Sequence, residues 1–245
     1  MRIMVAPQKV GVGIPHNLAS IKELQPLVVG FTEMDLGPRT FIPQVRSVLG
    51  PTYEVLSSDV GVHSEEIPVA VRTGPESEVQ QFKVVPISPN IGEDGKGNDR
   101  YLAVVRFLHR DRSYVVMHTH TDAVIQHLDT GLMFDNARVK ATAKAMQAIE
   151  DEAEAVLADP DVTGLWVMGD FNYLPVDPSI QWEHSPQAMF DRLGMQRVNN
   201  RVVYLAWSQG VSQDSEVTQI LAHTDQNASD HAWLLGHFRR ARPGA

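Results

Sequence analysis

The residues of this chain with the most chemistry in them fall in four short clusters. Gly169-Asp170-Phe171-Asn172 follows an apolar run at 165–168. A strand alternates faces, so Asp170 and Asn172 are expected on one side of its C-terminal end. There a carboxylate can orient or deprotonate a water, and an amide can donate to a phosphoryl oxygen as charge develops. Ser229-Asp230-His231 precedes the last apolar run and offers a carboxylate for a metal beside an imidazole that titrates near neutrality. Glu33 closes the run at 27–32 and is a hard ligand suited to Mg²⁺ or Mn²⁺. His118-Thr119-His120 ends the run at 114–119, with both imidazoles on one face for phosphate recognition or metal ligation. Each cluster taken alone also has a plainer reading as turn chemistry, a loop or cap carboxylate, or surface histidines.

The elements that must hold these residues are mostly strands. Short β-branched runs occur at 3–5, 27–31, 53–56, 68–71, 82–87, 102–108, 114–119, 165–168, 202–206, 217–221 and 232–238. Lys83 and Pro86 interrupt the run at 82–87, which suits an edge strand. Helices are predicted over 18–24, over about 136–158 and over 186–193. The long one repeats Val139, Ala143, Met146, Ile149, Ala153 and Val156 at i+3/i+4 and is stopped by Asp159-Pro160. Many short strands with a few helices between them imply an α/β layered fold with a largely antiparallel core. A single domain over 1–238 with a short basic tail at 239–245 is expected.

With the order Glu, His, Asp-x-Asn, Asp-His laid along strand ends, the chain resembles the endonuclease/exonuclease/phosphatase superfamily of metal-dependent phosphoesterases. Gly-Asp-Phe-Asn with a late Ser-Asp-His is the most specific part of that resemblance. It implies a four-layer α/β sandwich, two mostly antiparallel sheets face to face and flanked by helices. It implies Mg²⁺ (or Mn²⁺) on Glu33 with Asp230 near the metal, Asp170 and Asn172 as water-orienting carboxylate and phosphate-binding amide, and His231 as the catalytic histidine. By the same resemblance His120 binds the scissile phosphate, Glu65 orients His120, and Arg100 is similar to a substrate-side arginine. The implied reaction is in-line hydrolysis of a phosphodiester, with DNA or RNA as the first substrate class and a small phosphoester as the second.

Two positions depart from the pattern. The first strand of such proteins usually ends in Asn, where the nearest amide here is Gln8, with Asn17 a second candidate. An Asp is expected before the strand that precedes the last one, and matching it to 202–208 puts Val203 there. These departures motivate a competing reading, a catalytically impaired member that acts as a binding protein. A second competitor takes His118-Thr119-His120-Thr121-Asp122 as the start of a two-zinc hydrolase site, although the usual closing His is Ala123 here.

Bulk properties narrow the field further. The 245 residues carry a net charge of -9, which argues against a protein that clamps nucleic acid over a broad basic face. Local basic groups occur at Arg106, His109, Arg110 and Arg112 and at Arg239, Arg240 and Arg242. The absence of cysteine removes thiolate metal sites and cysteine nucleophiles. No signal peptide and no apolar stretch long enough for a bilayer is evident, so a soluble cytoplasmic protein without a membrane partner is expected.

Overall fold

The apolar runs pair into two six-stranded sheets in the computed structural model, which describes residues 1–8, 14–34, 41–60, 64–88, 99–123, 125–127, 130–175, 182–211, 215–220 and 233–238. In chain order the elements are β1 (Arg2–Pro7), α1 (Ile14–Leu24), β2 (Val28–Thr32), α2 (Ile42–Leu49), β3 (Tyr53–Leu56), β4 (Val69–Arg72), β5 (Ser77–Ser88), β6 (Arg100–His109) and β7 (Arg112–His120). There follow α3 (Ala137–Leu157), β8 (Val162–Asp170), α4 (Pro186–Arg192), β9 (Gln196–Asn200), β10 (Val203–Trp207), β11 (Ser215–Ile220) and β12 (Trp233–Phe238). The first sheet runs β11-β12-β1-β2-β4-β3 and the second β5-β6-β7-β8-β10-β9. Neighbouring strands are antiparallel except for two pairs, β1 with β2 and β7 with β8.

Those two exceptions position everything that follows. A parallel pair needs a crossover, and α1 and α3 supply one each. Each sheet therefore carries, at its centre, two adjacent strands whose C-terminal ends lie side by side. Three apolar clusters fill the gaps of a four-layer sandwich. One lies between the sheets, from Ile3, Val5 and Val28 across to Val116, Trp166 and Leu205. A second packs Met4, Ala6 and Phe31 under Leu18 and Ile21 of α1 and Val45 of α2. The third packs Met117, Leu165 and Val167 under Met146 and Ile149 of α3 and Phe190 of α4. Both faces of the central strands are covered, which is why they read as continuous apolar runs instead of alternating ones.

Helix α3 begins where Asn136 accepts the backbone N–H of Val139 at 3.0 Å, an N-cap that its sequence announces. β5 is an edge strand, as Pro86 requires, and absorbs two register shifts along its length. Two elements escape the periodicity argument. α2 is only eight residues long and buries Ile42, Val45 and Leu49, too short a repeat to stand out. β9 contains a single apolar residue, Val198, and exists through its pairing with β10.

The sheets approach closely at the end where β2, β7 and β8 stop. A Cβ on Gly30 would lie 2.6 Å from the His118 Nδ1 and 2.6 Å from the Met168 Cε. At Gly169, where φ is +151°, a Cβ would meet the Thr119 carbonyl oxygen at 2.0 Å. Side chains can yield somewhat; a strand backbone in a paired sheet cannot. Gly30→Ala is expected to cost about 1–3 kcal/mol of stability, and Gly169→Ala more, read from urea denaturation midpoints. Equal losses at the two positions would contradict this assignment of the constraint.

Candidate active site

The C-terminal ends of the two parallel pairs gather the sequence-predicted residues into two groups. At the β1/β2 end, Pro7 pairs with Thr32, and the Gln8 N–H donates to the Thr32 carbonyl at 3.1 Å, which sets Gln8 beside Glu33. Gln8 is buried, and its Nε2 donates to the Ala6 carbonyl at 2.8 Å. Glu33 is half-buried and has φ +60°. A glutamate has no local reason to enter the left-handed region, so this backbone is held by its surroundings at a cost of about 1 kcal/mol.

At the β7/β8 end His120 pairs with Asp170. Asp170 is fully buried, and its Oδ1 accepts the Asn172 backbone N–H at 2.9 Å. The strand stops at Asp170, so Asn172 reaches the site through a turn with φ +49° and not by strand alternation. Its Nδ2 donates to the Thr121 carbonyl at 2.8 Å, while the Thr121 N–H donates to the Asp170 carbonyl at 2.9 Å. A primary amide has two hydrogens, so a second N–H remains for a ligand oxygen.

His118 and His120 share a face, as their spacing requires, but at different depths. His118 lies between the sheets, fully buried, and its Nε2 donates to the Phe31 carbonyl at 2.6 Å. Burial lowers its pKa to about 4, partly offset by the carbonyls of Phe31 and Met168. It is a neutral cross-link from β7 to β2 and is not available as half of a zinc-binding His pair. Asp122, the third residue of that reading, is held by Arg100. The two-zinc interpretation of 118–122 is therefore set aside on geometry.

His120 is buried to 8% exposure, and its Nδ1 lies 3.4 Å from the Glu66 Oε2. The carboxylate beside His120 is thus Glu66 and not Glu65. Both lie in the 3-10 turn Ser64–Glu66, which turns Glu66 inward and leaves Glu65 partly exposed, a distinction that two adjacent glutamates do not reveal in sequence. Arg100, expected on the substrate side, is 8% exposed and paired with both Glu66 and Asp122.

The donor chemistry fits a hard divalent ion. Glu33 and Gln8 offer oxygen ligands from neighbouring strand ends, the type that Mg²⁺ and Mn²⁺ prefer. The adjoining Thr32 hydroxyl is fully buried without a hydrogen-bond partner. Among the described residues no three His, Asp or Glu side chains form a metal cluster. Asp230, the second expected ligand, and His231 lie outside the described residues, as do Arg239, Arg240 and Arg242.

One expectation about the surroundings is corrected. A further strand, β11, stands between 203–207 and the last strand, so Val203 does not precede the penultimate strand; it is buried and pairs with Asp170. His109, Arg110 and Arg112 sit at the turn from β6 to β7, at the opposite end of those strands from His120, and Arg106 is paired with Asp159.

This architecture recurs in solved structures. An endonuclease/exonuclease/phosphatase from Bacteroides vulgatus covers 97% of this chain and 98% of its own at 13% identity, with a TM-score of 0.65. The chain shares the fold of this endonuclease/exonuclease/phosphatase. The mannosyl-6-phosphatase of Bacteroides thetaiotaomicron matches over 98% of this chain and 100% of its own, at 10% identity and a TM-score of 0.66. The human nocturnin catalytic domain, which carries a bound sulfate anion, matches over 98% and 94% at 13% identity, also with a TM-score of 0.66. No family model matches the sequence, and no curated protein matches it significantly. No helix of the described residues is long and apolar enough to cross a membrane.

The buried His118 makes stability depend on pH in a defined window. Its folded pKa of about 4 lies below the ordinary 6.5, so between these values the unfolded chain binds the extra proton. Stability from this residue is complete above pH 6.5 and falls as pH drops toward 4, by a total on the order of 3 kcal/mol. His118→Gln, which keeps an N–H donor but cannot titrate, is expected to lose that component. Identical pH slopes for the two proteins in denaturant titrations would refute it.

Proposed function

We propose that this chain is a metal-dependent phosphoester hydrolase in which water attacks phosphorus in line with the departing oxygen. The observation that carries the reading is the meeting of Asp170, Asn172 and His120 through Thr121 at the strand ends where Glu33 is held at positive φ. Positive φ also occurs at Gln25, Arg110, Asp111 and Arg201, so the hydrogen-bonded meeting of Asp170, Asn172 and Thr121 is what distinguishes this end of the strands. The superfamily fold supports the same conclusion, since its neighbours include a phosphatase by name.

In this scheme Glu33, with Gln8 in support and Asp230 as a second ligand, would hold the ion. A bound Mg²⁺ or Mn²⁺ would supply neutralisation of charge on the phosphoryl and leaving oxygens. Asp170, fixed by the Asn172 N–H, orients the attacking water and accepts its proton. Asn172 donates its remaining amide hydrogen to a phosphoryl oxygen. His120 presents Nε2 to the phosphate while Nδ1 faces Glu66, and His231 is the second candidate for handling a proton. Because these groups sit on strand ends and buried hydrogen bonds, they need little reorganisation when charge develops.

DNA or RNA remains one substrate class, and a compact phosphoester is the second. The second is favoured by one observation: the Arg110–Arg112 turn lies at the far end of the strands, and Arg106 is already paired. Neither can follow a polymer backbone past the site. The impaired-member reading loses the part of its support that came from Val203, since β11 intervenes.

Glu33→Ala and Asp170→Asn are each expected to reduce divalent-ion-dependent hydrolysis at least about 100-fold while the protein stays folded. The assay uses plasmid DNA, RNA, bis-p-nitrophenyl phosphate and p-nitrophenyl phosphate, with Mg²⁺, Mn²⁺ or EDTA. Retained activity in both variants overturns the proposal. Absence of turnover by the folded parent on every ester would bring the binding-protein reading forward.

A further inference from the structure

We propose that Arg100 and Asp122 are positioning residues for His120, acting through Glu66 in a closed buried ring, and that Arg100 is not a substrate contact. The role of His120 rests on the phosphoesterase reading above; the ring itself rests on geometry alone. The Arg100 Nε donates to the Asp122 Oδ1 at 3.0 Å and its Nη1 to the Glu66 Oε2 at 3.2 Å. That same Glu66 oxygen faces the His120 Nδ1 at 3.4 Å. Asp122 stands two residues after His120, so the chain itself closes the circuit from imidazole through Glu66, Arg100 and Asp122 back to the imidazole's own backbone.

The four side chains are nearly water-free, with exposures of 10% for His120, 11% for Glu66, 9% for Arg100 and 15% for Asp122. Buried charges persist only when paired, and one planar guanidinium here serves two carboxylates along separate edges. The consequence for His120 is control from both ends. The His120 Nδ1 makes no hydrogen bond, and the Glu66 carboxylate 3.4 Å away is the charge that favours a proton on that nitrogen and a ring turned toward it. Asp122 fixes the backbone just beyond, where Thr121 bonds to the Asp170 carbonyl and accepts from Asn172. A carboxylate pulled away at Asp122 would loosen the Glu66 side of the ring and the Thr121 side together.

The test combines a stability cycle, side-chain NMR and kinetics on the full chain. Arg100→Met strips two buried carboxylates of their cation and is expected to lower Tm by about 10 °C. Asp122→Asn lowers Tm in the parent but raises it in the Arg100→Met background, where it removes an unpaired charge. Should Arg100→Met not fold, Arg100→Lys keeps the charge and loses the two-edged grip, and pairing it with Asp122→Asn must give a non-additive Tm change. In ¹⁵N spectra the His120 ring of the parent shows the proton on Nδ1, and Asp122→Asn mixes the tautomers. With the best ester from the panel, Asp122→Asn lowers kcat by about 10–100-fold with KM within about twofold, and adds nothing in the His120→Ala background.

Additive Tm changes would dissolve the ring. A coupled Tm cycle with unchanged tautomer and kcat would leave it a structural feature and overturn positioning. A raised KM with kcat retained would return Arg100 to the substrate. A parent without turnover would remove the phosphoesterase reading alone, because the Tm cycle and the tautomer still decide the ring.

Discussion

The close approach of the two sheets at Gly30 is the constraint on which the site depends. The glycine leaves room for His118 and Met168, and His118 uses that room to donate across the interface to the Phe31 carbonyl at 2.6 Å. A fully buried imidazole is tolerated because that bond is made and because the ring stays neutral. Two residues further along β7 the same face presents His120, and two further along β2 it presents Thr32, with Glu33 next. Moving the sheets apart to admit one methyl group would separate Thr32 and Glu33 of one sheet from His120 and Asp170 of the other.

Topology explains why the donors meet in pairs. In an antiparallel sheet, neighbouring strands end at opposite edges, and two functional residues on adjacent strand ends would lie a strand length apart. The parallel pairs created by α1 and α3 break that rule once in each sheet. Gln8 and Glu33 become neighbours on one, His120 and Asp170 on the other. The loops leaving these ends then do what strands cannot. Glu33 and Asn172 both turn out of their strands at positive φ. The Asn172 turn is held by a bond from its own N–H to Asp170, a local pattern that Asp and Asn favour.

Much of this was legible in the sequence, and the reasons for the gaps are physical. Strands covered on both faces announce themselves as uninterrupted apolar runs, so the sandwich and its layers followed from patterning and from the resemblance together. Gly169-Asp170-Phe171-Asn172 is similarly transparent, because its glycine answers a backbone contact that no side chain could survive. What escaped depends on long-range placement. Whether Glu65 or Glu66 meets His120 is decided by the rotation of a three-residue 3-10 turn. That His118 is a cross-link and His120 a site residue is decided by their depth, which a shared face does not encode. The match of Val203 to the penultimate strand, by contrast, passed over a strand that the run at 217–221 already announced. The basic residues at 109–112 lie at the end of β6 and β7 remote from His120.

The segment His120-Thr121-Asp122 shows how these levels join. Each of its residues is tied to a different part of the site: His120 to Glu66, Thr121 to Asp170 and Asn172 through its two backbone groups, and Asp122 to Arg100. Glu66 in turn belongs to the loop that meets β2, where the Met34 N–H donates to its carbonyl. Displacing any one of these contacts therefore moves groups on both sheets. Rigid hydrogen-bonded backbone, more than any single charge, is what keeps a carboxylate, an amide and an imidazole aimed at a common point before a substrate arrives. On the phosphoesterase reading, a net charge of -9 leaves phosphate attraction to local donors and a bound ion and not to a broad basic face. Selectivity under those conditions comes from geometry at the strand ends and not from the field of the whole molecule.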